Sequence, residues 1–235
     1  MMTDRSRIYK YLINIVFPNV CPVCGKLIKW DGLLCDECAG RLPYNDDDLC
    51  SVCGKRMCRD HSAITFDGVY TLVRYEGPVI TAIYALKNGE SLNLAEFAAE
   101  KLAERIKSDG LADKIDIVTS VPMHRRKKKD KGINHADKTA GFMARELGKP
   151  KVLSLLKKKK DKKVQHKLSA DERAAHANSV FYAADKHRDI KGKTVLLCDD
   201  VYTTGATFNR CASLLKQMGA EKVYCMAVAN TELGE

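Results

Sequence analysis

Two adjacent aspartates, Asp199 and Asp200, end an apolar run in the stretch VLLCDDVYTTGATF. Thr203, Thr204, Gly205, Ala206 and Thr207 follow at once, before an amphipathic run begins. A carboxylate accepts hydrogen bonds from hydroxyls. N–H groups at a helix start, with threonine hydroxyls among them, suit a phosphate monoester. A glycine in such a turn lets backbone approach phosphate closely. The pattern reads as a ribose phosphate site, with the sugar hydroxyls on Asp199 and Asp200 and the 5′-phosphate in the 203–207 turn. Paired aspartates alone more often cap a turn. It is their conjunction with an apolar strand, a hydroxyl-rich turn and a helix that points to a ligand. Ligands of open α/β sheets bind beyond the carboxyl ends of strands, so both carboxylates are expected at a solvent-facing edge.

A second chemistry sits near the N-terminus. CPVCGKLIKWDGLLCDEC supplies Cys21, Cys24, Cys35 and Cys38, two C-x2-C pairs whose tight turns each present two thiolates on one side. Two such knuckles complete a tetrahedron around Zn²⁺. CSVCGKRMCRDH supplies Cys50, Cys53, Cys58 and His61, a Cys3His set. Sequential sites are the simpler pairing, and an interleaved pairing would use the same ligands. Neither set leaves an open catalytic position, so both metals are read as structural. Seven of the ten cysteines lie between residues 21 and 58; Cys198, Cys211 and Cys225 are scattered through apolar patterns. No secretory signal is read at the start: Lys10 interrupts its apolar part, and residues 5–17 are expected to form an amphipathic helix. A reducing, cytoplasmic setting then favours metal over disulfides.

The elements that must carry these groups follow from periodicity. The 235 residues suffice for one sizeable domain and a small appendage, and no apolar run suggests a membrane partner. Composition changes near residue 62, dividing a cysteine-rich region, 1–62, from an α/β domain, 63–235. After that point FDGVYTLVRY reads as a strand or hairpin, and GPVITAIYALKNG and NLAEFAAEKLAERIKS as helices. IDIVTSVP reads as a buried strand, INHADKTAGFMARELGK as a helix ended by Gly148, and VLSLL, SVFYAA and TVLLCD as strands. ATFNRCASLLKQMG is a helix and KVYCMAVAN a last strand. Strands alternating with helices predict a parallel sheet. The net charge of +10 is concentrated: residues 121–170 hold 17 Lys/Arg against 4 Asp/Glu, a local +13. Such a segment suits a polyanion, phosphate or nucleic acid, although a solvated lysine-rich loop has the same composition.

LLCDDVYTTGAT resembles the phosphoribosyl-pyrophosphate (PRPP) signature of type I phosphoribosyltransferases. With YEGPVITAIYALKNGE, SVPMHRRKKKDKGINHA, VQHKLSADERAAHANSVF and VFPNVCPVCG, essentially the whole chain is similar to the ComF (late-competence) family. That family joins a double zinc ribbon to a phosphoribosyltransferase-like α/β domain. The resemblance implies that Asp199 and Asp200 hold the ribose hydroxyls as the catalytic pair, and that Thr203, Thr204, Gly205, Ala206 and Thr207 hold the 5′-phosphate. Ser120, Val121 and Pro122 match the pyrophosphate region, with Arg125, Arg126 and Lys131 as its basic candidates. Lys131, Gly132 and Asn134 fall in the family's Arg-Gly-Phe-Asn run, and Gln165, Leu168 and Arg173 in its Gln…Leu…Arg stretch. Ile133, His135, His176 and Ser179 depart from the usual Phe, Gln, Asn and Gly, on the acceptor side of the pocket. His124, a loop histidine beside a basic run, is read as a spectator rather than a general base.

Three readings follow. The first is an enzyme that transfers a phosphoribosyl group from PRPP–Mg²⁺ to a nitrogenous acceptor with release of pyrophosphate. The second is a non-catalytic competence factor that binds single-stranded DNA through residues 121–170, with PRPP as effector. The third is a zinc-ribbon adaptor for proteins of the competence machinery. Between residues 121 and 170 Phe142 is the single aromatic residue, fewer than base-stacking platforms usually present.

Overall fold

The computed structural model describes residues 18–45, 49–55, 58, 60–124, 134–159, 170–184 and 189–231. The amphipathic helix expected at 5–17 lies outside them. A short helix, α1 (Asp36–Arg41), falls within the cysteine-rich region. The chain then runs β1 (Gly68–Arg74), α2 (Pro78–Asn88), α3 (Asn93–Ser108), β2 (Ile117–Ser120), α4 (His135–Leu147) and β3 (Leu156–Lys158). It continues α5 (Ala170–Val180), β4 (Phe181–Ala183), β5 (Thr194–Tyr202), α6 (Ala206–Gln217) and β6 (Lys222–Asn230).

Strands β1, β6, β5 and β2 form one sheet in that order, every pair parallel. A parallel sheet needs cover on both faces, and alternation along β5 shows how it is obtained. Val195 and Leu197 pack with Phe208, Cys211 and Leu215 of α6. Leu196 and Cys198 face the other way, against Leu102 and Ile106 of α3 and Ala140 and Met143 of α4. Each such Leu or Met side chain contributes roughly 1.5–3 kcal/mol by leaving water.

The expected parallel α/β architecture is present, and two of the expected strands are redrawn. VLSLL is divided rather than continuous. Lys151 bridges in parallel to Val118, and Val152 N–H donates to the Val118 carbonyl at 2.8 Å. Ser154 then turns with φ 64°, and the chain leaves the main sheet. Leu156–Lys158 instead pairs antiparallel with Phe181–Ala183. SVFYAA likewise begins inside α5, and only Phe181–Ala183 of it is strand.

The cysteine-rich region runs along the β1 edge. Tyr44 bridges to Val73, Asn45 N–H donates to Leu72 at 2.9 Å, and Arg74 N–H donates to Pro43 at 2.8 Å. Further along the same strand, Val69 N–H donates to Ser51 at 3.0 Å. Leu42 is buried with Val79, Ile83 and Leu86 of α2, and Val23 and Leu34 pack against that cluster. Among the described residues no helix is long and apolar enough to cross a membrane.

Candidate functional site

The metal ligands are gathered as two sequential sets, not interleaved. Cys21, Cys24, Cys35 and Cys38 form one, Cys50, Cys53, Cys58 and His61 the other, and within each set the donor atoms all lie within 4.8 Å of one another. Tetrahedral zinc thiolates stand about 3.8 Å apart, and Cys24 Sγ and Cys35 Sγ are 3.7 Å apart. In the second set His61 Nε2 lies 3.3 Å from Cys50 Sγ and 3.2 Å from Cys58 Sγ. The knuckle backbone favours the thiolate form at the first cysteine of each set, whereas burial raises the Cys38 thiol and side-chain hydrogen bonds with Cys50 and Cys53 push Cys58 up to about 12. Burial raises the Cys21 thiol, but the N–H groups of Cys35, Val23 and Cys24 outweigh it and bring it down to about 7. At Cys50 burial is similarly overcome, chiefly by the Cys53 N–H, and the thiol falls to about 6. Donor type, number and spacing fit closed structural zinc sites in both sets.

The second constellation lies where β5 ends. Because side chains alternate along a strand, Asp199 and Asp200 are carried to opposite faces of the sheet. Asp199 follows Leu197 toward α6, and it lines a narrow pocket with Val201, Tyr202, Thr203, Gly205, Thr207 and Phe208. Asp200 follows Cys198 toward α4. It is not at a solvent-facing edge, as expected, but 6% exposed. Its Oδ2 lies 3.0 Å from His135 Nε2 and 3.4 Å from Lys87 Nζ. His135 is the first residue of α4 and Lys87 stands in the last turn of α2, so two helix ends converge on one carboxylate.

This difference in surroundings separates the two acids. Burial, then repulsion from Asp200, pushes Asp199 up to about 8. Burial also acts on Asp200, but His135 and Lys87 reverse it and hold its carboxyl below the usual range. Asp199 is thus shifted toward its protonated form and Asp200 toward its ionised form.

Gly205 has φ 82°, a conformation that a side chain strains, and it precedes the first residue of α6. Thr203, Thr204, Ala206 and Thr207 are half-buried around it. The Ala206 N–H reaches Thr204 Oγ1 at a long 3.4 Å, and Asn209 N–H closes the first helical bond to Gly205 at 2.8 Å.

On the other side of the sheet's carboxyl end lies a cleft of about 620 Å³. It is lined by Ser120, Pro122 and His124 at and after the end of β2, by Asn134 and Asp137 at the start of α4, and by Lys157, Lys158, Lys159 and Tyr182 at and beside the small sheet. Ser120 and Pro122 thus open into the cleft as expected. Val121 does not: its side chain is buried, its N–H donates to Cys198 at 2.9 Å, and its carbonyl faces Asn134 Nδ2 at 3.5 Å. Arg125, Arg126 and Lys131 lie outside the described residues. Lys87 and His135 are the members that sequence reasoning missed. His135 carried a signal, a departure from the family pattern directly after the asparagine that precedes α4. Lys87 carried none, being an ordinary lysine in the last turn of a helix.

Comparisons with known proteins match two parts of the chain. A double zinc ribbon domain model matches residues 12–67, and a phosphoribosyl transferase domain model matches residues 134–233. Competence protein F of Haemophilus influenzae is 24% identical over 220 residues, 92% of this chain and 93% of that one. DNA utilization protein YhgH of Escherichia coli is 26% identical over 219 residues, 91% of each. Competence protein ComFC of Bacillus subtilis is 26% identical over 208 residues, 82% of each. Among solved structures, a purine phosphoribosyltransferase from Pyrococcus horikoshii aligns with 59% of this chain and 83% of its own, at 19% identity and a TM-score of 0.38.

Proposed function

We propose, from the premise that this chain belongs to the ComF family, a double zinc ribbon joined to a phosphoribosyltransferase-like domain, that it binds PRPP and transfers the phosphoribosyl group to a nitrogenous acceptor. One observation carries this reading: an acidic pair at the end of β5 leads directly into a half-buried threonine turn at a helix start, and residues that follow β2, the strand paired with β5, open into a cleft of about 620 Å³ with room for a second substrate. In it, Asp200 and Asp199 hold the ribose hydroxyls, and the 203–207 turn receives the 5′-phosphate. Ser120 and Pro122, with the basic residues Arg125, Arg126 and Lys131 that follow, line the path of the pyrophosphate. The zinc ribbon, within residues 1–62, carries two structural Zn²⁺ ions, and residues 63–235 form the transferase-like unit.

Displacement at C1 of ribose develops oxocarbenium character as pyrophosphate departs, so the protein's contribution is positioning and charge. An ionised Asp200, itself oriented by His135 and Lys87, accepts a hydroxyl and places negative charge beside the sugar. Asp199, whose carboxyl burial and the neighbouring Asp200 push up, favours the protonated form, which can donate as well as accept. Mg²⁺, when bound with PRPP, neutralises the leaving group. Among the described residues that line the cleft, Asp137 is the one carboxylate, and Lys151 lies 3.2 Å from it. The donor set therefore fits a Mg²⁺ held mainly by PRPP oxygens and water. Labelled PRPP and Mg²⁺ incubated with the protein and a metabolite extract should release pyrophosphate only when extract is present. Tight PRPP binding without such release would reduce the reading to PRPP as effector.

A second reading has its own observation. Lys157, Lys158 and Lys159 follow one another along the cleft wall, within the strongly basic stretch 121–170. The relatives' names speak of competence and DNA utilization, and single-stranded DNA is the corresponding polyanion. Its binding should weaken steeply with salt, because neutralised phosphates release counterions. Replacing Lys157 to Lys160 by glutamine should flatten that dependence. No binding at low salt would remove this reading.

A further inference from the structure

We propose that the second metal knuckle positions the phosphate turn, with Tyr202 as the strut between them, so that zinc in the Cys50/Cys53/Cys58/His61 set and a phosphate monoester in the 203–207 turn bind cooperatively. The proposal rests on the reading that this turn receives the 5′-phosphate. Tyr202 is the last residue of β5, immediately before the turn, and is 4% exposed. Its hydroxyl donates to the carbonyl of Cys53 at 2.7 Å, joining residues 149 apart in sequence. That carbonyl belongs to a metal ligand, itself 1% exposed.

The ring is gripped from both sides. A Cβ on Gly205 of the turn would stand 3.1 Å from the Tyr202 hydroxyl and 3.3 Å from its ring. A Cβ on Gly54, the residue after Cys53, would stand 2.9 Å from Val69 and 3.4 Å from the same ring. Both glycines have positive φ, 82° and 67°, so neither backbone tolerates a side chain and both press against the tyrosine. Phe208 of α6 stacks on Tyr202 with centroids 5.7 Å apart, and Phe66 meets both rings edge-on.

A second tie runs parallel to the first. Asn209, in the first turn of α6, accepts the Thr65 N–H at 2.9 Å and donates to the Ala63 carbonyl at 3.1 Å. Ala63 and Thr65 lie two and four residues after the ligand His61. The helix that opens at the phosphate turn is thus fastened at its start to the chain leaving the second metal set. The first metal set docks elsewhere, against the α2–α3 cluster. Dense packing does not deform continuously. Loss of the second metal releases the Cys53 carbonyl and the 61–65 segment together, and with them the two restraints that order the turn.

Cooperativity is reciprocal, which provides the test. Ribose 5-phosphate is the probe, because it carries the 5′-phosphate and the hydroxyls without a metal-chelating pyrophosphate. Saturating ribose 5-phosphate should slow or weaken zinc loss from the full-length protein to a colorimetric chelator, for one zinc of two, by about three- to tenfold, the scale of one or two hydrogen bonds. Tyr202→Phe keeps the ring and removes the hydroxyl. It should retain both zinc ions, speed amide exchange at residues 203–208, weaken ribose 5-phosphate by a similar factor and shrink the effect on zinc release. Tyr44→Phe removes a more exposed tyrosine hydroxyl, donated to Ala39 at 2.6 Å in the first ribbon, and should change none of these. Unchanged exchange and zinc release in Tyr202→Phe, or equal effects from Tyr44→Phe, would overturn the proposal. If the unaltered protein takes no ribose 5-phosphate, the phosphate reading itself fails. Amide exchange at 203–208 on chelation still decides the strut: it should rise, and protection as strong without zinc as with it would discard it.

Discussion

Between residues 18 and 62 the described buried apolar side chains are Cys21, Leu42 and Cys53, two of them metal ligands. The single strand β5 buries Val195, Leu196, Leu197, Cys198 and Tyr202. One region has almost no core of its own and the other is mostly core. Their connections to ligands differ accordingly. In the sheet, packing decides where each side chain points, and Asp199 and Asp200 acquire opposite characters from their two faces. In the ribbon, donor atoms converge from four positions per set, and a metal substitutes for the missing apolar interior. Order in the ribbon therefore depends on a titratable, removable ion, and order in the sheet does not.

Removing zinc is the largest perturbation of this contrast. Elemental analysis should find about two zinc ions per chain, and chelation should forfeit binding on the order of 10 kcal/mol per structural site. Amide exchange should then show residues 18–62 losing protection while β2, β5 and α4 keep theirs. Simultaneous collapse of the sheet would break the comparison.

The complementary change is Leu196→Ala, at a fully buried position between α3, α4 and the sheet. It should cost about 2–5 kcal/mol in denaturant unfolding of the α/β unit, with zinc content unchanged. Loss of zinc at the same denaturant concentration would show one cooperative unit in place of two.

Asp200→Asn should weaken PRPP by roughly ten- to hundredfold, about 1–3 kcal/mol, in calorimetric titration. It should also lower the melting temperature, because the carboxylate is held by His135 and Lys87 inside the protein. Thr204→Val, at a half-buried turn position, should weaken PRPP by a smaller factor without lowering the melting temperature. If Asp200→Asn melts early but binds PRPP normally, the aspartate is a structural anchor and not a ribose ligand.

A further effect is a pH slope of opposite sign at the two neighbours. Asp199, raised to about 8 by burial and by Asp200, keeps a proton in the folded state that the unfolded chain has already lost. Its contribution to stability is full below the ordinary carboxylate range and declines as pH rises toward that value. Asp200, held low after His135 and Lys87 outweigh burial, contributes above the ordinary range and loses that contribution on acidification. Denaturant melts of Asp199→Asn from acidic to mildly alkaline buffer should lack the decline expected of the unaltered protein as pH rises from the ordinary carboxylate range toward about 8. Identical pH profiles would contradict the assignment.

Much of this was legible in local sequence, because it depends on short-range periodicity. Alternation and helical spacing in IDIVTS, TVLLCD, NLAEFAAEKLAERIKS and KVYCMAVAN produce the strands and helices that were expected. The C-x2-C knuckles identify their metal from the chemistry of four thiolates or three and an imidazole. The turn after Asp200 opens a helix because of its own glycine and threonines. VLSLL misled because five apolar residues specify burial but not partners, and the Ser154 turn shares them between two sheets. The rest was decided by contacts between residues distant in the chain. Sequence made Asp199 and Asp200 look equivalent. The fold brings Lys87 and His135 to one of them and leaves the other in a neutralising pocket, because adjacent strand residues must face opposite layers. In the same way, nothing local to Tyr202 or Cys53 announces that a tyrosine hydroxyl will rest on a metal knuckle 149 residues away. That pairing exists only once the ribbon is laid along β1 and β5 lies within reach, since a hydrogen bond is set by position and not by sequence neighbourhood.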